Sequence, residues 1–145
     1  GITDTDRGAL LSASLETVGG YLFDPGSTAS VSTIEFEPNL VEDFEKAIER
    51  LVPCGTEYKH HKTWGDQNGK SHVRATLMGP GTSVPFENGK LILGTWQQLA
   101  LINFDVPARS REILSGGPPR ITHQWKVDRS TRGSNAQGYG LGDRL

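Results

Sequence analysis

The chain has 145 residues, 34% of them hydrophobic, and a formal net charge of -2. That is the size of one domain with a real core, with no run of membrane-span length and no charge excess suited to nucleic acid as the main partner. A single cysteine, Cys54, excludes an internal disulfide and fits a reducing compartment, and with no signal-like apolar run after Gly1 the expected location is cytoplasmic. Eighteen glycines and eight prolines favour turns and short strands over long helices.

Taken in order, Thr3 to Gly20 reads as a short helix, with Thr5 or Asp6 as its cap. Leu11, Leu15 and Val18 form its apolar stripe, and Gly19-Gly20 ends it. Tyr21-Leu22-Phe23 is a brief strand stopped by Asp24-Pro25-Gly26. Ala29 to Phe36 is strand-like, rich in Ser, Thr and β-branched residues. Pro38 to Leu51 is the clearest helix, with Leu40, Phe44, Ala47, Ile48 and Leu51 on one face and Pro53 beyond its end. Pro53 to Ser71 reads as a long polar loop, of the kind that more often carries function than not. His72 to Met78 alternates as a strand would, placing His72, Arg74, Thr76 and Met78 on one side.

Asn88-Gly89 between apolar runs predicts a hairpin that pairs Val84–Phe86 with Leu91–Leu93, and Gly94 breaks the second strand. Gln97 to Phe104 is the last strand, with Leu99, Leu101 and Asn103 alternating against Ala100, Ile102 and Phe104. From Leu114 the composition shifts to Gly, Pro, Ser and Arg, and Pro118-Pro119 cannot continue a central strand. The expected organisation is a domain over 1–113 and a divergent tail over 114–145 whose removal from Ser115 onward costs little stability.

Several side chains carry chemistry. His60 and His72 can converge as neutral imidazoles on a divalent metal, Zn or Mg, although a pair of hydrogen-bonded surface histidines is the commoner outcome of such spacing. Glu35 and Glu37 can hold Mg²⁺ or orient a water, or simply complement the start of the following helix. Gly79-Pro80-Gly81-Thr82-Ser83 offers backbone N–H groups and the Thr82 and Ser83 hydroxyls to an anion. Arg74, Arg109 and Arg111 can clamp a phosphate bidentately. Trp96 and Gln97 serve either the core or a ligand pocket.

The tetrapeptide Gly94-Thr95-Trp96-Gln97 with Gly89 before it, Tyr58-x-His60, and Ser71-His72-x-Arg74 together resemble the YjbQ family, often labelled secondary thiamine-phosphate synthase. The resemblance implies an α+β fold: a mostly antiparallel, sandwich-like sheet with two packed helices. It also implies a homotrimer acting on a phosphorylated small molecule. The implied reaction joins a pyrimidine diphosphate to a thiazole phosphate with a metal's help. In that reaction His60 and His72 hold the metal, Glu35 orients a water or ligand, Arg74 meets the phosphate, and Thr82, Ser83, Arg109 and Arg111 add phosphate contacts. The alternative is a catalytically inactive binding or structural homotrimer of the same fold. Four departures favour it. Gly26 replaces a histidine of the family's metal site, Ile34 an asparagine, Gly81 a serine and Asn103 a glutamate. Gly26→His is then expected to restore a third imidazole.

Overall fold

The computed structural model describes residues 9–12, 20–88, 90–105, 110–117, 120–127 and 136–140. The chain runs through β1 (Ala9–Ser12), β2 (Tyr21–Phe23), β3 (Ala29–Ile34), α1 (Pro38–Leu51), α2 (His61–Trp64) and α3 (Gly69–Met78). It continues through β4 (Gly81–Ser83), β5 (Phe86–Glu87), β6 (Lys90–Leu91), β7 (Gln98–Asn103), β8 (Arg111–Gly117), β9 (Arg120–Val127) and β10 (Ala136–Gly140). One sheet has the order β1-β7-β3, a second β10-β9-β8-β2-β4, and β5-β6 form a separate hairpin. Every described pairing is antiparallel.

Strand β7 sits between the two apolar cores because its residues alternate. Leu99 and Leu101 join Leu22, Ala29, Val31, Val84 and Ile113 between the sheets. Ala100 and Ile102 turn the other way, onto Ile48 of α1 and Ala75 of α3 with Phe104. The layers are therefore helices, a three-stranded sheet and a five-stranded sheet, and the fold is α+β as expected. Burying one such aliphatic side chain contributes about 1.5–3 kcal/mol, so a strand apolar on both faces anchors both layers.

Helix α1 has the predicted bounds for local reasons. Pro38 occupies the first turn, and Glu37 caps it by accepting from the N–H groups of Asn39 (2.6 Å) and Leu40 (3.1 Å). Glu37 thus serves the helix start. The stripe that packs on the core is buried Ile48 with partly buried Val41 and Phe44, while Leu51 is exposed. The Glu42–Lys46 pair forms at 2.7 Å on the outer face, where it contributes only a few tenths of a kcal/mol.

The second packed helix is not where the sequence pointed. Ala9–Ser12 lies inside the expected helix over 3–20, yet it is a strand paired from Ala9↔Asn103 to Ser12↔Ala100. Leu15 and Val18 lie outside the described residues. The helix that packs is α3, where an alternating strand was expected. Ser71, Ala75 and Met78 recur at spacings of four and three, and Arg, Ala, Leu and Met are good helix formers. The loop before it holds the short helix α2 and is closed by Asp66, whose Oδ1 accepts the N–H of Asn68 (3.1 Å).

The hairpin is real but shorter than expected, with Phe86↔Leu91 and Glu87↔Lys90 in register and Asn88 at φ 52°. Asparagine tolerates that left-handed conformation better than most residues. The end of the chain departs most. Strand β8 runs past Ile113 to Gly117, β9 pairs with it from Gly117↔Arg120 to Arg111↔Val127, and β10 pairs with β9. Pro118-Pro119 lies outside the described residues, between Gly117 and Arg120, which pair with each other.

Candidate functional site

His72 and Arg74 were expected to share one face of a strand. On α3 they stand about 200° apart around the axis, so the helix sends them to different partners. His72 meets His60, at the start of α2, with ring centroids 4.4 Å apart and planes tilted by 59°. His60 Nε2 lies 3.8 Å from Asp66 Oδ1, too far for a hydrogen bond, and it is buried with no hydrogen-bond partner among the described residues. His61 Nε2 is also buried and has no hydrogen-bond partner among the described residues, with the His61 ring 5.6 Å from that of Tyr58. Two imidazoles with an orphaned acceptor fit a transition metal of the zinc type better than Mg²⁺, which prefers oxygen donors. No group of three or more His, Cys, Asp or Glu side chains suited to a metal occurs among the described residues. Asp66 was not singled out in the sequence, although it sits in the Gly65-Asp66 turn six residues after His60.

Arg74 points into the protein and is 4% exposed. Its Nε and Nη2 donate to the Val52 carbonyl (3.0 and 2.6 Å), and Nη2 also reaches Glu49 Oε2 at 2.7 Å and Cys54 Sγ at 3.4 Å. Burial works against ionisation of Glu49, but the N–H and side chain of Cys54 and the Arg74 guanidinium outweigh it, so the carboxyl is held below its ordinary range. Burial first, then the neighbouring Glu49, pushes the Cys54 thiol up. These groups tie the end of α1 to α3, and the phosphate role expected for Arg74 has no exposed guanidinium to carry it.

Arg111 is 8% exposed between the two sheets. Its Nη2 donates to Asp105 Oδ2 (3.0 Å), Asn103 Oδ1 (3.1 Å) and Thr28 Oγ1. Asp24 lies beside this group, and burial raises its pKa although Arg111 and the N–H of Gly26 pull the other way. Gly26 is what lets the arginine in. A Cβ there would sit 2.5 Å from Arg111 Nη1 and 2.9 Å from Asp24 Oδ2, so the space of any side chain at 26 is already filled. Gly26→His therefore cannot simply supply a third imidazole. It should lower stability by roughly 1–3 kcal/mol through overpacking, read as a shift in the urea midpoint. A variant as stable as the parent would contradict that packing.

The other expected residues lie apart from these clusters. Glu35 is exposed just beyond β3, and its carbonyl accepts the N–H of Glu37 (2.9 Å). Thr82 and Ser83 pair with Leu22 and Tyr21 in edge strand β4, so the Gly79–Ser83 run is a helix-to-strand connection. Gly79 at φ 83° ends α3, and a Cβ on Gly81 would run into the Leu22 carbonyl oxygen, which accounts for glycine in place of serine there. Trp96 is 70% exposed on a turn closed by Gln97, whose Oε1 accepts the Gly94 N–H at 2.8 Å. Arg109 lies outside the described residues.

The groups that sequence reasoning passed over, buried Asp24 and Thr28 and half-buried Glu49, carry no local signature, because their partners are far along the chain. Two of the clusters are linked through one peptide. The Phe104 N–H donates to the Thr28 carbonyl (2.9 Å), and the Phe104 carbonyl accepts from Ser71 Oγ, next to His72.

The model of the family described as UPF0047 protein YjbQ-like matches residues 2–116. A UPF0047 protein of Archaeoglobus fulgidus is 41% identical over 93 residues, which cover 64% of this chain and 72% of that one. One from Methanothermobacter thermautotrophicus is 34% identical over 119 residues, covering 81% and 82%. The crystal structure of a hypothetical protein from Aeropyrum pernix K1 superposes with a TM-score of 0.65 at 33% identity, covering 74% of this chain and 86% of that one. With the motifs, the layered antiparallel fold and these relatives in agreement, the chain belongs to the YjbQ (UPF0047) family.

Proposed function

We propose that this chain is a binding member of its family. In this reading the His60–His72 pair takes a zinc-type cation weakly, and the thiamine-phosphate-synthase reaction is not carried out. The observation that supports it is the use of Arg74 and Arg111, the two expected phosphate-binding arginines that lie among the described residues. A diphosphate-bearing substrate needs exposed bidentate donors, and both Arg74 and Arg111 spend theirs on internal acceptors. His60 and His72 would hold the cation through neutral imidazole nitrogens, with Asp66 the nearest carboxylate to His60. A bound cation would supply Lewis acidity there. The exposed Leu51, Trp64, Leu77, Ile92 and Trp96 give the surface apolar area suited to the homotrimer that the family resemblance implies.

The second reading is the synthase itself, favoured by the closeness of the two imidazoles. Calorimetric titration with Zn²⁺ and an assay for thiamine phosphate, run on the same preparation, separate the two. Zinc binding should weaken at least about tenfold in His60→Ala and in His72→Ala, since even the loss of an outer partner of a metal ligand has that effect. No thiamine phosphate should form from the pyrimidine diphosphate and thiazole phosphate with Mg²⁺ or Zn²⁺ present. Binding untouched by both variants would remove the metal site, and turnover would establish the synthase.

A further inference from the structure

We infer that Asp24 is a buried proton-binding site, created by its burial beside an Arg111 guanidinium already committed to Asp105, and that its proton decides which of the two carboxylates holds that arginine. Asp24, Asp105 and Arg111 are all more than nine-tenths buried. Arg111 Nη2 is committed to Asp105, Asn103 and Thr28. Asp24 is placed firmly, its own N–H donating to the Pro80 carbonyl (2.8 Å) and its carboxyl accepting from the Gly26 N–H, yet its Oδ2 has no hydrogen-bond partner among the described residues. Among the described residues, the charged groups acting on Asp24 are Arg111 from β8 and Asp105 beyond β7, one cation and one like charge.

A buried cation compensates one carboxylate well and two poorly, because each ion removed from water needs its own close partner. A carboxyl buried beside a cation that another group already holds is therefore favoured in its protonated form. Asp105 holds the hydrogen-bonded position, so Asp24 is the one that keeps its proton where ordinary aspartates have lost theirs. Once it ionises, Arg111 has a second acceptor within short reach. Nη1 and Asp24 Oδ2 lie 2.5 and 2.9 Å from a single point, the Cβ position of Gly26. A modest turn of the guanidinium toward Asp24 releases Thr28 at the start of β3 and Asn103 on β7. The proton thus controls a joint between both sheets.

The sign of the linkage follows. A carboxyl whose folded pKa lies above its unfolded value adds stability at low pH, and this is lost as pH rises through the folded value. The test is a ¹³C carboxyl titration of the full chain by NMR, with thermal midpoints measured across the same pH range. Asp24, assigned through its own backbone, should titrate above the ordinary aspartate range. The thermal midpoint of the parent should fall through that interval, and Asp24→Asn should flatten the fall. In Asp105→Asn the Asp24 midpoint should move down, since Arg111 then serves one carboxylate. An Asp24 midpoint within or below the ordinary range in the parent overturns the proposal, whether or not either variant folds. So does an Asp24 midpoint unmoved in Asp105→Asn.

Discussion

A chain ending at Gly117 is expected to melt about 7 °C below the full-length protein, which is the shift produced by roughly 2 kcal/mol in a domain of this size. The composition of the last 32 residues argued for almost no change. The strand pairing argues otherwise. Truncation strips β9 from seven residues of β8, and β10 goes with it. Strand β8 then becomes a sheet edge while still carrying Arg111, Ile113 and Ser115, each buried in the intact chain. Its outer N–H and C=O groups can turn to water, so the loss is that of net ladder bonds and shielding rather than of unsatisfied groups. The entropy recovered by releasing the tail offsets part of it. Differential scanning calorimetry of the two chains decides the matter, and light scattering should show the shortened one associating through its bare edge. Coincident melting curves would mean that β9 and β10 add nothing to stability.

Arg74→Ala should cost about 3 kcal/mol in urea denaturation at neutral pH, the scale of breaking a largely buried charged pair. The guanidinium holds the Val52 carbonyl at the end of α1 and the Glu49 carboxylate together, and no other described group donates to that carbonyl from α3. Arg74→Lys should recover only part of this, because an ammonium cannot serve both acceptors with the planar fork. The pH dependence gives a second readout. Glu49 has a lowered folded pKa, so its stabilisation is present above the unfolded carboxylate value and lost as pH falls through the folded one. Arg74→Ala should weaken that loss on the acid side. A phosphate-binding arginine would behave differently, leaving stability nearly unchanged while abolishing ligand binding.

Some of this protein was legible from the chain alone. The alternation over Gln97 to Phe104 put Leu99 and Leu101 on one side and Ala100, Ile102 and Phe104 on the other, as the two cores do, because a strand buried on both faces is fixed by its own period of two. Helix α1 was legible from Pro38 and the spacing of Leu40, Phe44, Ala47, Ile48 and Leu51, since caps and stripes are local signals, although Val41 packs inward and Leu51 does not. Asn88-Gly89 placed the hairpin for the same reason. His60 and His72 were singled out together and do meet, although through a helix rather than a strand.

What the tertiary structure decided was everything that depends on a partner distant in sequence. Ala9–Ser12 is a strand because the free edge of β7 accepts it, and an apolar spacing compatible with a helix cannot outweigh that ladder. Residues 120–127 are a strand because β8 offers an edge, not because their composition asks for one. The period over Ser71 to Met78 fits both two and 3.6, and packing against Ile48, Ala100 and Ile102 selects the helix. That selection turns Arg74 inward and His72 outward to His60. The buried charges follow the same logic: Arg111 meets Thr28 across 83 residues of chain, and only the folded layers bring a guanidinium to the space that Gly26 leaves open.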